Sequence, residues 1–215
     1  MAVNVNDWYT SALYTLRDGE IEKTRNGHVR TLQSPQLFTV QNPRERVLFH
    51  PKRNANPYLH VMETVWMFAG SNEVDFLLPF SKQMGEYAND GVVNGANGLR
   101  WRTHFNRDQI IGTIQELKER PDSRQAVIAM YDPSQDYSPH WKDRPCNTHI
   151  YFRVVNGKLD MTVCNRSNDV VWGMCGANAV HMTYLQELVA SGIRRPVGRY
   201  HVMTNNLHIY EHHWG

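Results

Sequence analysis

The stretch THIYFRVVNGKLDMTV, residues 148–163, decides the fold of this chain. Two predicted strands, 148–155 and 158–163, flank the dipeptide Asn156-Gly157. This dipeptide is the strongest short sequence signal for a two-residue β-hairpin, because both residues tolerate a positive φ. The sequence therefore predicts two paired strands beyond the middle of the chain.

Helices and further strands surround this hairpin. Apolar residues at helical spacing predict a helix over 56–70, with Pro57 in its first turn and Gly70 at its end. The other predictions are helices over 107–119 and 178–191, strands over 125–131 and 199–203, and a short final helix over 207–213. Helices interleaved with hairpin-linked strands favour an α+β layer fold, with a mixed sheet packed against helices.

Composition limits the kind of protein. A chain of 215 residues with 41% hydrophobic content can bury one core, so we expect a single domain over 1–215. The formal net charge is +2 without a basic run, so we expect neither a nucleic-acid nor a membrane surface. The first residues lack the pattern of a signal peptide, and no apolar run approaches the ~18 residues of a membrane helix. Three cysteines without CxxC spacing indicate reduced thiols in a cytoplasmic protein.

Cys146, in Arg144-Pro145-Cys146-Asn147, is the candidate nucleophile. An isolated free cysteine is usually a small buried hydrophobe, and Cys164 and Cys175 fit that interpretation. Cys146 differs because Arg144 is close in sequence and Arg166 comes close if the hairpin folds as predicted. Cationic neighbours lower the pKa of a thiol and favour the nucleophilic thiolate.

Polar residues beyond the hairpin suggest an anion site. Arg166-Ser167 supplies a guanidinium fork and a hydroxyl, which suit phosphate oxygens. An isolated Arg-Ser dipeptide without this context would be an ordinary surface feature. Asp169 follows and is expected to project toward the same cavity. Glu63 lies within the predicted helix 56–70, where a carboxylate is either on a solvent face or a buried functional group.

Taken together, these motifs resemble the thymidylate synthase superfamily from about Arg25 to His212. The run Arg166-Ser167-Asn168-Asp169-Val170-Val171 is more similar to the nucleotide hydroxymethylase branch. The resemblance implies a one-carbon transferase that uses 5,10-methylenetetrahydrofolate as co-substrate and no metal. It implies that the Cys146 thiolate adds to C6 of a pyrimidine and that Glu63 organises water and protonation there. It makes Asp169 a catalytic residue that orders waters, and it places Asp169 and Trp172 at the folate.

The resemblance also assigns the nucleotide-binding residues. It places Arg25, Arg166 and Ser167 at the phosphate, with Arg124 lent by the second subunit of a homodimer with shared sites. His208 and Tyr210 match a His-x-Tyr that holds the sugar hydroxyl. Either Asn178 or Ala177 takes the position that reads the base, and Asn178 is favoured because only it can hydrogen-bond.

Several departures from the synthase pattern bear on the reaction. Gln125 stands where the family has a second arginine, Asn97 replaces a tyrosine, and Met84 and Tyr87 stand near the places of the folate-pocket tryptophans. The chain stops at Gly215, where synthases continue into a tail that closes over the folate. We therefore expect a 5-hydroxymethyl product, because water is poorly excluded. The nucleotide is expected to be dCMP, because the run 166–171 resembles the phage enzymes that act on cytosine. The close alternatives are dUMP and CMP, since Asn178 alone favours uracil or accepts both bases.

Other functions remain open on sequence alone. One alternative is a thymidylate synthase that methylates dUMP, and another is a non-catalytic nucleotide-binding homologue. A cysteine hydrolase is disfavoured because no ordered histidine and oxyanion-loop context accompanies Cys146. A metal site at His201 or His212-His213 is disfavoured because carboxylate or cysteine partners are missing at ligand spacing.

Overall fold

The computed structural model describes residues 1–214, with the exception of the Lys52 side chain. Six α-helices are present in this part of the chain: α1 (Val5–Leu16), α2 (Pro57–Phe68), α3 (Asn97–Arg102), α4 (Gln109–Glu119), α5 (Pro133–Asp136) and α6 (Asn178–Gly192). The strands are β1 (Glu20–Thr24), β2 (Gly27–Thr31), β3 (Gln36–Val40), β4 (Val127–Ala129), β5 (Asn147–Val155), β6 (Lys158–Asn165), β7 (Asn168–Asp169), β8 (Val197–Thr204) and β9 (Leu207–Tyr210). A π-helical segment, Val170–Ala177, leads into α6.

The predicted hairpin forms the centre of a five-stranded sheet. β5 and β6 pair antiparallel around Asn156 and Gly157, whose φ angles of 51° and 76° suit a tight hairpin turn. The order of this sheet is β3-β8-β6-β5-β4, and β8 runs parallel to β6. Buried side chains of α6 and of the inner sheet face belong to the hydrophobic core, among them Met182, Leu185 and Ile150.

The other face of this sheet is open to solvent. Leu37 is 69% exposed, and Val127, Tyr151 and Met203 are also exposed large hydrophobic residues. The pairing register places Val127 opposite Tyr151, and Leu37 opposite Met203. We call these four residues, with their neighbours on the same face, the open sheet face.

A second sheet, of four strands in the order β1-β2-β9-β7, positions several of the predicted nucleotide-binding residues. Its strand β9 corrects the prediction of a helix over 207–213, which is wrong for residues 207–210. Arg30 pairs with Ile209 on one side of this strand, and Asp169 pairs with His208 on the other. The backbone of β9 is thus bonded on both sides, and this tertiary pairing overrides a local helical preference. Only Glu211–His213 forms a helical turn.

The remaining predicted elements agree with the structure. The helices over 56–70, 107–119 and 178–191 are α2, α4 and α6, and the strands over 125–131 and 199–203 are β4 and β8. At the start of α2 the side chain of Asn56 accepts a hydrogen bond from the Leu59 backbone N–H, and Pro57 follows the cap. Gly70, with φ of +72°, ends the helix as expected. Among residues 1–214, no helix combines the length and apolar character needed to cross a bilayer.

Candidate active site

A polar pocket of about 230 Å³ lies beside the four-stranded sheet. Four of the predicted nucleotide-binding residues line it, namely Arg25, Ser167, His208 and Tyr210. Arg25 comes from the β1–β2 turn, Ser167 precedes β7, and the other two residues belong to β9. The sheet therefore gathers side chains from both ends of the chain around one cavity.

His208 is held in the lining of this pocket by several neighbours. Its Nδ1 lies 3.0 Å from Oδ1 of Asn206 and 3.5 Å from Oγ of Ser167, and its ring meets Tyr210 edge-on with centroids 5.3 Å apart. Burial lowers the pKa of His208, against an opposing effect of Asp169. The imidazole is therefore neutral at pH 7 and serves as a hydrogen-bonding group, so the cationic charge on the pocket lining comes from Arg25.

Cys146 and Arg166 form the second part of the site. Arg166 Nη2 lies 3.7 Å from the Cys146 Sγ, while Nε donates to the Pro145 carbonyl at 3.0 Å and Nη2 to the Arg144 carbonyl at 3.1 Å. The Arg144 side chain donates instead to the Ser138 carbonyl at 3.1 Å. Of the two expected cationic neighbours, the structure places only Arg166 at the thiol.

The pKa of Cys146 corrects a prediction. Cys146 keeps an exposed surface, yet the surrounding protein desolvates the thiol and raises its pKa. Arg166 lowers the pKa and Asp143 raises it, and both effects are smaller than desolvation. The expected lowering of the pKa by cationic neighbours is therefore wrong in its net direction. A further positive charge or a change in solvation is needed before the thiolate dominates at pH 7.

Asp143 is a site residue that sequence reasoning missed. Its Oδ2 accepts a hydrogen bond from the Gly95 N–H at 3.1 Å, and burial raises the pKa of this carboxyl, while Arg166 lowers it. A Cβ at position 95 would lie 2.3 Å from Oδ2 and 3.1 Å from the Pro145 nitrogen, so a side chain there would displace the Asp143 carboxylate. The sequence signal was a carboxylate three residues before the cysteine.

Behind Asp143 lies a buried polar cluster that we call the Arg100 network, formed by Asn94, Arg100, His104, Asp132 and Asp136. Arg100 and Asp136 are both 0% exposed and form an ion pair at 2.8 Å. Arg100 also donates to the Asn94 and Met130 carbonyls, and Asn94 Nδ2 donates to the Asp143 carbonyl at 3.3 Å. The network thus connects α3 and α5 to the segment that carries Cys146.

Glu63 is buried, so the interpretation that places it on a solvent face of the helix is excluded. It is 7% exposed in the middle of α2, and its Oε2 lies 3.3 Å from Nε2 of His181 on α6. His181 is a second residue that sequence reasoning missed. Its only sequence signal was a histidine within an apolar helical pattern.

Asp169 and Trp172 lie together at the start of the π-helical segment. The Asp169 carboxylate accepts hydrogen bonds from the backbone N–H groups of Val171 and Trp172, at 3.2 and 2.9 Å. Trp172 is 41% exposed, and the Arg53 guanidinium lies over its ring, 5.1 Å from the centroid. An exposed indole face beside a cation and a carboxylate can accommodate a flat heterocycle with an acidic tail.

Tyr87 ends the 3₁₀ turn Lys82–Tyr87 and is 39% exposed. Burial raises the pKa of its phenol, and Glu86, Asp143, Tyr210 and Asp169 raise it further in that order. The only sequence signal of Tyr87 was its position near the place of a missing tryptophan.

The candidate base-reading residues lie at the start of α6. Asn178 is half-buried, and its Nδ2 donates to Oδ1 of Asn168 at 3.3 Å, whereas Ala177 has no hydrogen-bonding side chain. Arg124 is exposed in the turn between α4 and β4 and does not line the polar pocket of its own chain. This position is compatible with the prediction that Arg124 contributes to the site of a second subunit, which stays a prediction.

A family model described as thymidylate synthase matches residues 9–215. The chain belongs to the thymidylate synthase family. Its fold is similar to the crystal structure of thymidylate synthase from T4 phage, with a TM-score of 0.76 and 22% identity over 96% of this chain and 77% of that chain. The predicted α+β fold of thymidylate synthase type is confirmed.

Curated relatives of higher identity carry more specific names. The chain is 43% identical to deoxyuridylate hydroxymethyltransferase of Pseudomonas phage M6, over 97% of the chain and 60% of the relative. It is 36% identical to the protein of the same name from Bacillus phage SP01, over 93% of the chain and 55% of the relative. A putative thymidylate synthase of Methanothermobacter thermautotrophicus is 34% identical, over 98% of the chain and 93% of the relative. The chain spans little more than half the length of the two phage relatives.

Proposed function

We propose that this chain catalyses the folate-dependent hydroxymethylation of C5 of a pyrimidine nucleoside monophosphate through a covalent bond from Cys146 to C6. The observation that carries the proposal is the position of Arg166. Its guanidinium lies 3.7 Å from the candidate nucleophile, and the next residue, Ser167, lines the polar pocket with Arg25 and His208. One nucleotide can therefore present its phosphate to the arginines while its base lies at the thiol.

Arg25, Arg166 and Ser167 bind the phosphate in this proposal. Two guanidinium groups and a hydroxyl match the charge and the acceptor oxygens of a phosphate monoester. His208 and Tyr210 lie on the same strand and hydrogen-bond the sugar hydroxyl, a role that suits a neutral imidazole. The negative phosphate offsets the positive charge of the guanidinium that faces the thiol. Ionisation of Cys146 therefore depends on how the bound nucleotide changes the solvation of the thiol.

The chemistry begins with addition of the Cys146 thiolate to C6. The new C–S bond makes C5 electron-rich, and a difficult substitution is divided into easier steps. 5,10-Methylenetetrahydrofolate supplies the one-carbon unit when it is bound. Asp169, Trp172 and Arg53 are the residues that would hold it, because they offer a carboxylate, an exposed aromatic face and a cation close together. Glu63 accepts the proton that leaves C5.

The names of the phage relatives support water, not hydride, as the group that completes the product. They also favour deoxyuridylate, whereas the run 166–171 favours dCMP. The side chains at 177 and 178 are a methyl group and an amide, and an amide can pair with uracil without a charge cost. We therefore rank dUMP first as the substrate to test, followed by dCMP and CMP.

We further propose a homodimer formed through the open sheet face. This face exposes four large hydrophobic side chains, and a partner that covered them would remove their apolar surface from water. A second copy is a suitable occupant, because Arg124 lies in the turn just before β4, at the edge of that sheet. Mixing inactive Arg124→Ala and Cys146→Ser subunits should restore part of the activity, since one hybrid site would be complete. Absence of recovery after confirmed subunit exchange would contradict shared sites.

The reaction is tested by incubating the protein with methylenetetrahydrofolate and dUMP, dCMP or CMP in turn and determining the product mass. The expected product carries one added hydroxymethyl group, and dihydrofolate does not accumulate. A methylated nucleotide with stoichiometric dihydrofolate would make the chain a thymidylate synthase. Tight nucleotide binding without any product would support the non-catalytic alternative.

A further inference from the structure

Two helices bury a carboxyl group and an imidazole against each other. Glu63 of α2 is 7% exposed, and His181 of α6 is 2% exposed. Nε2 of His181 lies 3.3 Å from Oε2 of Glu63, yet this nitrogen has no hydrogen bond of favourable angle. A buried ring nitrogen without a partner is costly, and a small rotation of the imidazole would direct it at the carboxyl oxygen.

The surroundings of this pair contain a second imidazole. The His60 ring meets the His181 ring edge-on, with centroids 6.2 Å apart, and His60 lines a separate cavity of about 270 Å³. Burial, with a smaller effect of His181, lowers the pKa of His60 to about 4, so this imidazole is neutral at pH 7. Arg53 is the other charged group that acts on this cluster, and its Nε donates to the Val171 carbonyl at 2.9 Å. His181 is therefore the polar partner that the fold provides for Glu63.

The pair is also connected to the segment that carries the nucleophile. A Cβ at Gly98 would lie 2.1 Å from the Met67 carbonyl oxygen, so the backbones of α2 and α3 are in direct contact there. Met67 is one helical turn after Glu63 and lies on the same side of α2. Next to Gly98, the Asn97 Oδ1 accepts a hydrogen bond from Asn147 Nδ2 at 3.3 Å. Asn147 directly follows Cys146, so α3 joins the Glu63 helix to the nucleophile strand.

We propose that His181 is a positioning residue for Glu63, whose carboxyl group it fixes through a hydrogen bond from Nε2–H. This inference rests on the proposed function, in which a proton leaves C5 of the pyrimidine and the C–H bonding pair remains on the ring. Glu63 accepts that proton. A carboxylate held in one orientation transfers protons more effectively than one that rotates freely, because its geometry is set before the reaction.

Substitutions at position 181 test the proposal. His181→Leu removes the donor and should lower kcat about tenfold to a hundredfold with little change in KM for the nucleotide, because a hydrogen bond to a charged group is lost. His181→Gln should retain most of the activity, because its amide nitrogen can replace Nε2. Thr183→Val is the matched control, since Thr183 is also buried on α6 but donates to the Ala179 carbonyl. The control should keep normal turnover.

Three outcomes would overturn the proposal. Normal turnover by His181→Leu would show that Glu63 does not need the imidazole. Equal losses in His181→Leu and His181→Gln would exclude the hydrogen bond as the cause. An equal loss in Thr183→Val would show that α6 tolerates no change in its buried polar groups and that the effect is one of packing.

A proton NMR spectrum separates failure of this inference from failure of the proposed function. A buried imidazole N–H that is bonded to a carboxyl group exchanges slowly and gives a low-field resonance. This resonance should be absent from His181→Gln and should move in Glu63→Gln. If the resonance is present but the protein has no turnover, the Glu63–His181 hydrogen bond is supported and the proposed reaction is refuted. A resonance that does not respond to Glu63→Gln would overturn the pair even in an active enzyme.

Discussion

The polar pocket and the Arg100 network are both built from charged and amide side chains, but they leave these groups in different states. In the pocket, the contact between Ser167 and His208 is a long 3.5 Å, and Arg25 is exposed, with Asn26 as its neighbour at 3.4 Å. In the network, Arg100 is fully buried and donates to several acceptors, with Asp136 at 2.8 Å. Polar groups with free bonding capacity are available to a ligand, whereas saturated ones hold the frame.

The largest expected effect in this comparison is on stability. Arg100→Met leaves Asp136 buried without its partner and should lower the free energy of unfolding by about 3–5 kcal/mol. Arg102→Met is the control on the same helix, because Arg102 pairs with Asp108 at 3.0 Å in a partly exposed position. That change should cost about 0–1 kcal/mol. Urea unfolding measures both values, and equal losses would show that the network is not a special part of the frame.

A smaller effect is expected where the network meets the cysteine segment. Gly95→Ala inserts a methyl group 2.3 Å from the Asp143 carboxylate oxygen and 3.1 Å from the Pro145 nitrogen, so the carboxylate must move and the backbone before Cys146 must yield slightly. We expect a loss of about 1–3 kcal/mol in stability and a reduced turnover. Gly85→Ala is the control, since its methyl group would meet only the Leu78 side chain at 3.5 Å. If both variants unfold at the same urea concentration, the tight contact at Gly95 does not constrain the segment.

The smallest effect concerns the reactivity of the thiol. Asp143 raises the pKa of Cys146 and Arg166 lowers it. Below the pKa the thiolate fraction grows as the pKa falls, so Asp143→Asn should make alkylation by iodoacetamide a few-fold faster at pH 7. Arg166→Gln should make it slower, and Asp122→Asn, in an exposed turn, should leave it unchanged. An unchanged rate in both site variants would mean that desolvation alone controls this thiol.

The predictable part of the fold consists of segments whose local pattern agrees with their tertiary environment. The apolar spacing in α2 and α6 and the Asn156-Gly157 turn suffice to identify those elements. Strand β9 was predicted as a helix because its pairing partners, in β2 and β7, are remote in sequence. The helix α1 and the strands β1 to β3 were not predicted.

The candidate site likewise contains residues that could be predicted from the sequence and residues that could not. Cys146, Arg166 and Ser167 belong to short motifs, and the resemblance of these motifs to the thymidylate synthase family selected them. Asp143 and His181 act through Gly95 and Glu63, which are distant in sequence, and neither pair forms a motif. Only the folded chain shows that each carboxyl group has a partner. Residues that would touch a ligand were thus easier to find than those that hold them in place.

The most direct test of covalent catalysis compares the wild-type protein with Cys146→Ser. The measurement is release of tritium from C5 of labelled dUMP in the presence of methylenetetrahydrofolate, together with equilibrium binding of dUMP. The serine variant should lose at least about a thousandfold in tritium release, because the nucleophile initiates every later step. Its affinity for dUMP should change little, since the phosphate and sugar contacts remain. Tritium release by Cys146→Ser at the wild-type rate would contradict the covalent mechanism.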